Sequence, residues 1–233
     1  MPDGWTSTRL SAFALNHQDA ILSPQLAGTP VPASHGAGDA SIEYLPSSPI
    51  KGGSPFAAPR LFAAIHNALA VSDRVEVWNY LRTLWSLCER LGLDSLVLAA
   101  QWDLETDTGR STWWRERRNP AGIGVTGDPG QNEASQSWSD GEAAAYGHVA
   151  HMVAYVWGSE WERTWPGEWP SPLEADQRFN APINAGYQAD RLSDLNGTWA
   201  IDPQDNYDGK LAERANRIVD AVRSARPPGL TIP

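Results

Sequence analysis

Residues 94–109, "DSLVLAAQWDLETDTG", constrain the fold more than any other stretch. Asp94 stands where a helix cap is expected, a nearly continuous apolar run follows, and Gly109 offers a terminator. A helix that is apolar on most sides must be central, wrapped by partners that each present one apolar stripe. Such partners are present. "PRLFAAIHNALA" puts Leu61, Phe62, Ile65 and Leu69 on one stripe, with Pro59 suited to a first helical position. "SDRVEVWNYLRTLWSLCERLG" opens with Asp73 and Glu76 at capping-box spacing, repeats Val77, Leu81, Leu84, Cys88 and Leu91, and stops at Gly92. Ser139 and Glu142 repeat that spacing ahead of a stripe formed by Ala145, Val149, Met152, Val153 and Val156. A last helix, roughly 207–224, carries Leu211, Ala215, Ile218, Val219 and Val222.

Between these patterns, residues 110–138 are irregular and full of turn formers ("GIGVTGDPGQNEASQSWSD"), so a small β-hairpin or long loop is expected there. The fold class is mainly α (α+β): one helical domain with a small irregular or β-hairpin lobe. At 233 residues the chain can bury one sizeable core. Residues 1–48 form a Pro/Gly-rich arm, 49–225 the domain and 226–233 a tail. Ile42, Tyr44, Leu45 and Ile50 are the side chains placed to pack the arm on the body.

Composition excludes several functions. A net charge of −10 repels phosphate backbones and argues against nucleic-acid binding. Arg110, Arg115, Arg117 and Arg118 still form a local basic cluster, suited to a polyanionic wall or to a solvated face balancing nearby acids. The single cysteine, Cys88, allows no disulfide within the chain and reads as packing. The opening residues lack the pattern of a signal peptide, and no apolar run is long enough for membrane insertion. The chain has 12 Trp against 6 Tyr and 4 Phe, a surplus that serves either core packing or stacking on flat ligands.

Glu105 is the residue whose position asks for an explanation. It sits where the apolar helix stops, in "WDLETDTGRSTWWRERRNPAGIGVTG", beside Trp102, Trp113 and Trp114. Partial burial disfavours a carboxylate's charged form, and the negative end of a helix dipole acts in the same direction. Both raise the pKa toward that of a general acid working near neutrality. The plain alternative is a carboxylate pointing to solvent at a frayed end. Asp103 and Asp107, on either side, read as helix-end acids in solvent. His148 and His151 are three apart, but no HExxH motif or cysteine cluster accompanies them, so neither metal nor cofactor is expected.

Four blocks in order carry a resemblance. The first is Ala100, Gln101, Glu105, Thr106, Gly109 and Ser111; the second is Asn119, Gly122, Ile123 and Gly124. Gly141, Ala144, His148 and Tyr155 form the third. The fourth joins "DQRF" to Trp199, Ala200, Asp202, Pro203, Tyr207, Lys210 and Leu211. Together, over residues 49–223, they resemble the bacterial cell-wall endo-β-N-acetylglucosaminidases of the lysozyme-like superfamily. The resemblance implies a lysozyme-like fold and hydrolysis of a β-1,4 bond on the reducing side of N-acetylglucosamine in a peptidoglycan glycan strand. Glu105 would be the general acid. A second carboxylate is sought after the Gly-Ile segment, with Glu133 ranked ahead of Asp128 and Asp140.

Trp113, Trp114, Asn119, Gly122, Ile123, Tyr146, His148 and Trp199 are the candidate sugar contacts. Trp199 departs from the family's usual Tyr, which keeps an aromatic face and loses a hydroxyl. The resemblance further implies a monomer acting at the cell wall, as a phage-type lysin or as an exported enzyme whose leader lies outside this chain. Two readings stay open beside it: a muramidase or lytic transglycosylase, and a non-catalytic glycan-binding or virion structural protein.

Overall fold

The computed structural model describes residues 42–125, 136–200 and 203–225. Its helices are α1 (Ala58–Ile65), α2 (Arg74–Leu91), α3 (Ser95–Thr106), α4 (Thr112–Arg117) and α5 (Gly141–Trp157). They are followed by the short α6 (Pro172–Ala175) and α7 (Asn180–Asn184), and by α8 (Tyr207–Ser224). The fold is mainly α. Among the described residues the extended chain forms only isolated bridges, such as Lys51 with Leu93. No described helix is long and apolar enough to cross a membrane.

The apolar helix is central, as its composition requires. Every side chain of α3 from Ser95 to Asp103 is buried, with α8 packed along it and α2 against α5. Asp94 caps α3 by accepting the Leu96 N–H at 2.8 Å. The α2–α5 crossing is close because α5 begins at Gly141. A Cβ there would come within 2.0 Å of the Glu76 carbonyl oxygen.

Both expected capping boxes are rearranged. Asp73 has helical φ/ψ and makes no cap bond; its carboxylate lies 3.5 Å from Arg118. Glu76 instead accepts the Gly141 N–H at 2.7 Å, so it serves the start of α5. The cap of α5 is Asp140, which accepts from Ala143 N at 2.8 Å while Ser139 donates to its carboxylate. Spacing alone could not reveal that two helix starts meet in space.

Of residues 110–138, where a small β-hairpin or long loop is expected, the part as far as residue 125 forms α4 and a tight turn. Ser111 caps α4 by accepting from Trp114 N, and the helix forms because Trp114 finds a buried site against Tyr80 and Trp102. Tyr44 and Ile50 are buried and Leu45 is half exposed. The Tyr44 hydroxyl donates to Asp94 at 2.6 Å, and Asn216 brackets its backbone at 2.7 and 2.9 Å. The chain thus packs on the body from Ile42 onward.

Candidate active site

Glu105 lies on the last turn of α3 and is partly buried. Its Oε1 accepts the Tyr207 hydroxyl at 2.7 Å. Tyr207 opens α8, where Asn206 in the left-handed conformation turns the chain and Asn196 Oδ1 accepts the Tyr207 N–H. Behind this pair runs a buried line of hydrogen bonds. Gln101 donates its amide to the Tyr207 hydroxyl at 2.9 Å, and His148 Nε2 meets Gln101 Oε1 at 2.9 Å. His148 Nδ1 then meets the Tyr80 hydroxyl at 2.7 Å.

The line runs one way. Gln101 gives its N–H to Tyr207, so its oxygen must accept from His148. Burial, with a smaller push from neighbouring His151, lowers the His148 pKa to about 3 and keeps the ring neutral. A neutral ring that donates from Nε2 must accept at Nδ1, here from Tyr80. Tyr207 already accepts from Gln101, so its own proton goes to Glu105. Such a chain is strengthened by each link in a low-dielectric interior.

Burial raises the Glu105 pKa to about 7; the Tyr207 hydrogen bond opposes this and nearby Asp205 adds to it. With Oε1 accepting from Tyr207, an acidic proton belongs on Oε2. That oxygen faces the 119–125 turn. A Cβ on Gly122 would stand 3.0 Å from it, close enough to press on the carboxylate, and Gly122 has φ +63°, a conformation that favours glycine. Asn119 holds the turn closed: Oδ1 accepts from Ile123 N at 3.0 Å and Ala121 N at 3.3 Å, and Nδ2 donates to Ile123 O at 2.8 Å.

Gly122 also lines a cavity of about 270 Å³, together with Ile123, His151, Tyr155, Tyr187 and Trp199. Glu105 is not itself among the residues lining this cavity; it adjoins Gly122, which is. Trp199 packs within 5.0 Å of both the His151 and Tyr155 rings, which makes an aromatic wall. His151 Nδ1 bonds Asp176 Oδ2 at 2.5 Å. Asp176 is fully buried, and its Oδ1 accepts from the Gln136 amide and from Arg178 N.

Several residues expected to contact sugar have protein partners in the structure. Trp114 is fully buried, edge-on to Trp102 and Tyr80 at 5.4 Å, and has no face left for a sugar. Trp113 is half buried with the Arg117 guanidinium over its ring at 5.2 Å. Asn119 and His148 are fully buried, the first as the clip of the turn and the second inside the hydrogen-bonded line. Tyr146 packs edge-on against Trp169 at 6.0 Å and is not part of the cavity wall. Asp103 is also buried, held by Arg217 at 2.7 Å and Arg214 at 3.2 Å. Gly122, Ile123 and Trp199 do line the cavity; Asp128 and Glu133 lie outside the described residues.

Sequence reasoning named His151, the "DQRF" segment that opens with Asp176, and Tyr207, but it did not reach the His151–Asp176 pair or the bond from Tyr207 to Glu105. One signal was available: His148, His151 and Tyr155 fall on one face of α5 at helical spacing, which places His148 in the buried line and the other two on the cavity wall. No family model, curated protein or solved structure matches this chain.

Proposed function

We propose that the chain is a lysozyme-like peptidoglycan hydrolase, an endo-β-N-acetylglucosaminidase with Glu105 as its general acid. One observation carries this reading: a carboxyl group with a pKa raised to about 7, one oxygen bonded by Tyr207 and the other turned to the loop that walls a cavity. Near neutral pH such a group is partly protonated and can give its proton to a departing glycosidic oxygen. Tyr207 then steadies the carboxylate that remains. Trp199, half-buried on the cavity wall, provides an aromatic face suited to a pyranose ring. The motif resemblance, in which Glu105 takes the acid's position, supplies the substrate: a peptidoglycan glycan strand, met at the cell wall by a monomer.

The test is reducing-sugar release from purified peptidoglycan by wild type and Glu105→Gln, with mass spectrometry of the products. Fragments ending in N-acetylglucosamine, and a loss of at least about a hundredfold in the variant, are expected. Muramic ends would instead identify a muramidase or transglycosylase. Binding to sacculi without cleavage by either protein would leave a glycan-binding protein.

A further inference from the structure

An inverting form of the hydrolysis proposed above needs a group that accepts a proton from water, and the cavity lined by Gly122 and Ile123 of the acid's loop is also lined by a histidine, His151. We infer that His151, oriented by the buried carboxylate of Asp176, is the general base of that reaction; the inference rests on the glucosaminidase reading.

The geometry is that of a built pair. Asp176 is fully buried and every described contact of its carboxylate is a donor: the Gln136 amide and Arg178 N on Oδ1, and His151 Nδ1 on Oδ2. A buried carboxylate is costly unless its hydrogen bonds are met, and one placed against an imidazole fixes that ring's tautomer. With Nδ1 engaged by Asp176, Nε2 is the nitrogen left to act toward the cavity that His151 lines. Gln136 braces the arrangement further, its Oε1 accepting from Gln177 N at 2.9 Å, so the 176–178 turn and the carboxylate are held as one unit. Trp199, edge-on to the imidazole at 5.0 Å, restricts its rotation. His151, on α5, lines the same cavity as Gly122, and a Cβ added to Gly122 would stand 3.0 Å from Glu105 Oε2, so the base stands in a cavity whose wall adjoins the acid on α3.

In the step this arrangement performs, water's oxygen bonds to the anomeric carbon as the bond from that carbon to the glycosidic oxygen breaks. One water proton passes to His151 Nε2, and the Glu105 proton passes to the departing oxygen. His151 afterwards releases its proton to solvent and Glu105 regains one, so atoms and charge balance with no further reactant. A single displacement of this kind inverts the anomeric configuration. Asp176 touches no reacting atom and is a positioning residue.

The experiment compares full-length wild type, Glu105→Gln, His151→Asn, His151→Ala and Asp176→Asn on purified peptidoglycan, following kcat, KM, melting temperature and product anomer by NMR. His151→Asn places an amide donor near the position of Nδ1 and removes the second nitrogen, so folding is expected to survive. A fall in kcat of about 100-fold or more at little-changed KM, inverted product, and partial recovery of His151→Ala by added imidazole are the expected results. Asp176→Asn should lower kcat about tenfold or more at little-changed KM, because the ring loses its fixed tautomer. If Glu105→Gln is inactive while His151→Asn keeps activity within about threefold of wild type, the base assignment is overturned and the hydrolase reading survives. Retained configuration, or failure of imidazole to restore a His151→Ala protein that melts like wild type, also overturns it. Absence of any cleavage by wild type removes the hydrolase reading and the base with it.

Discussion

Replacing Tyr207 by Phe removes one oxygen and breaks the buried line at the link that touches Glu105. The hydroxyl donates at 2.7 Å to Glu105 Oε1, and hydrogen bonds to charged groups contribute about 1.5–3 kcal/mol. At about 1.4 kcal/mol per pH unit, losing that bond moves the Glu105 pKa up by about 1–2 pH units from its value of about 7. The sign follows from which form is bound: Tyr207 stabilises the carboxylate, so its removal favours the acid. Gln101 also loses its acceptor, which costs about 1–3 kcal/mol of stability. The assay is an NMR titration of 13C-labelled Glu carboxyl carbons in wild type and Tyr207→Phe, with Glu105→Gln assigning the resonance. If activity is present, the alkaline limb of its pH profile should move up with the same midpoint. A wild-type Glu105 titrating near its ordinary 4.5, or a Tyr207→Phe midpoint below wild type, would refute the reasoning.

Other expectations are independent of that one. Glu105 titrates higher folded than unfolded, so its favourable contribution is complete below about pH 4.5 and is lost as pH rises through about 7. Glu105→Gln should therefore exceed wild type in urea-unfolding stability at pH 8, by at most about 3 kcal/mol, with the gap closing near pH 4.5. Gly122→Ala sets a methyl 3.0 Å from Glu105 Oε2 at φ +63°, so a loss of roughly 1 kcal/mol or more in urea unfolding is expected. Activity should fall by more than that loss explains. Trp114→Ala should cost about 3–5 kcal/mol in unfolding free energy, as a large core deletion does. Trp199→Ala should leave the midpoint closer to wild type and, under the proposed hydrolase reading, act mainly on binding to wall fragments, measured by sedimentation with sacculi.

The one-dimensional pattern determined a good deal. An apolar run between Asp94 and Gly109 was enough to make α3 central, because no arrangement leaves such a helix at a surface. Periodicity placed α2, α5 and α8, and the bare position of Glu105 at a helix end pointed to a raised pKa. What tertiary structure alone decided were meetings between residues far apart in the chain. Glu76 serves a helix 65 positions onward, and Tyr207 reaches Glu105 across 102. Trp114 and Asn119 have the residue types of sugar contacts, yet one fills the core and the other closes a turn. Asp176 opens the "DQRF" segment and His151 stands three positions after His148, but the two become a pair only when α5 and the 176–179 turn pack together. A residue's type and local spacing set what it can bond. Which partner it bonds depends on where the rest of the chain brings a donor, and only the packed fold determines that.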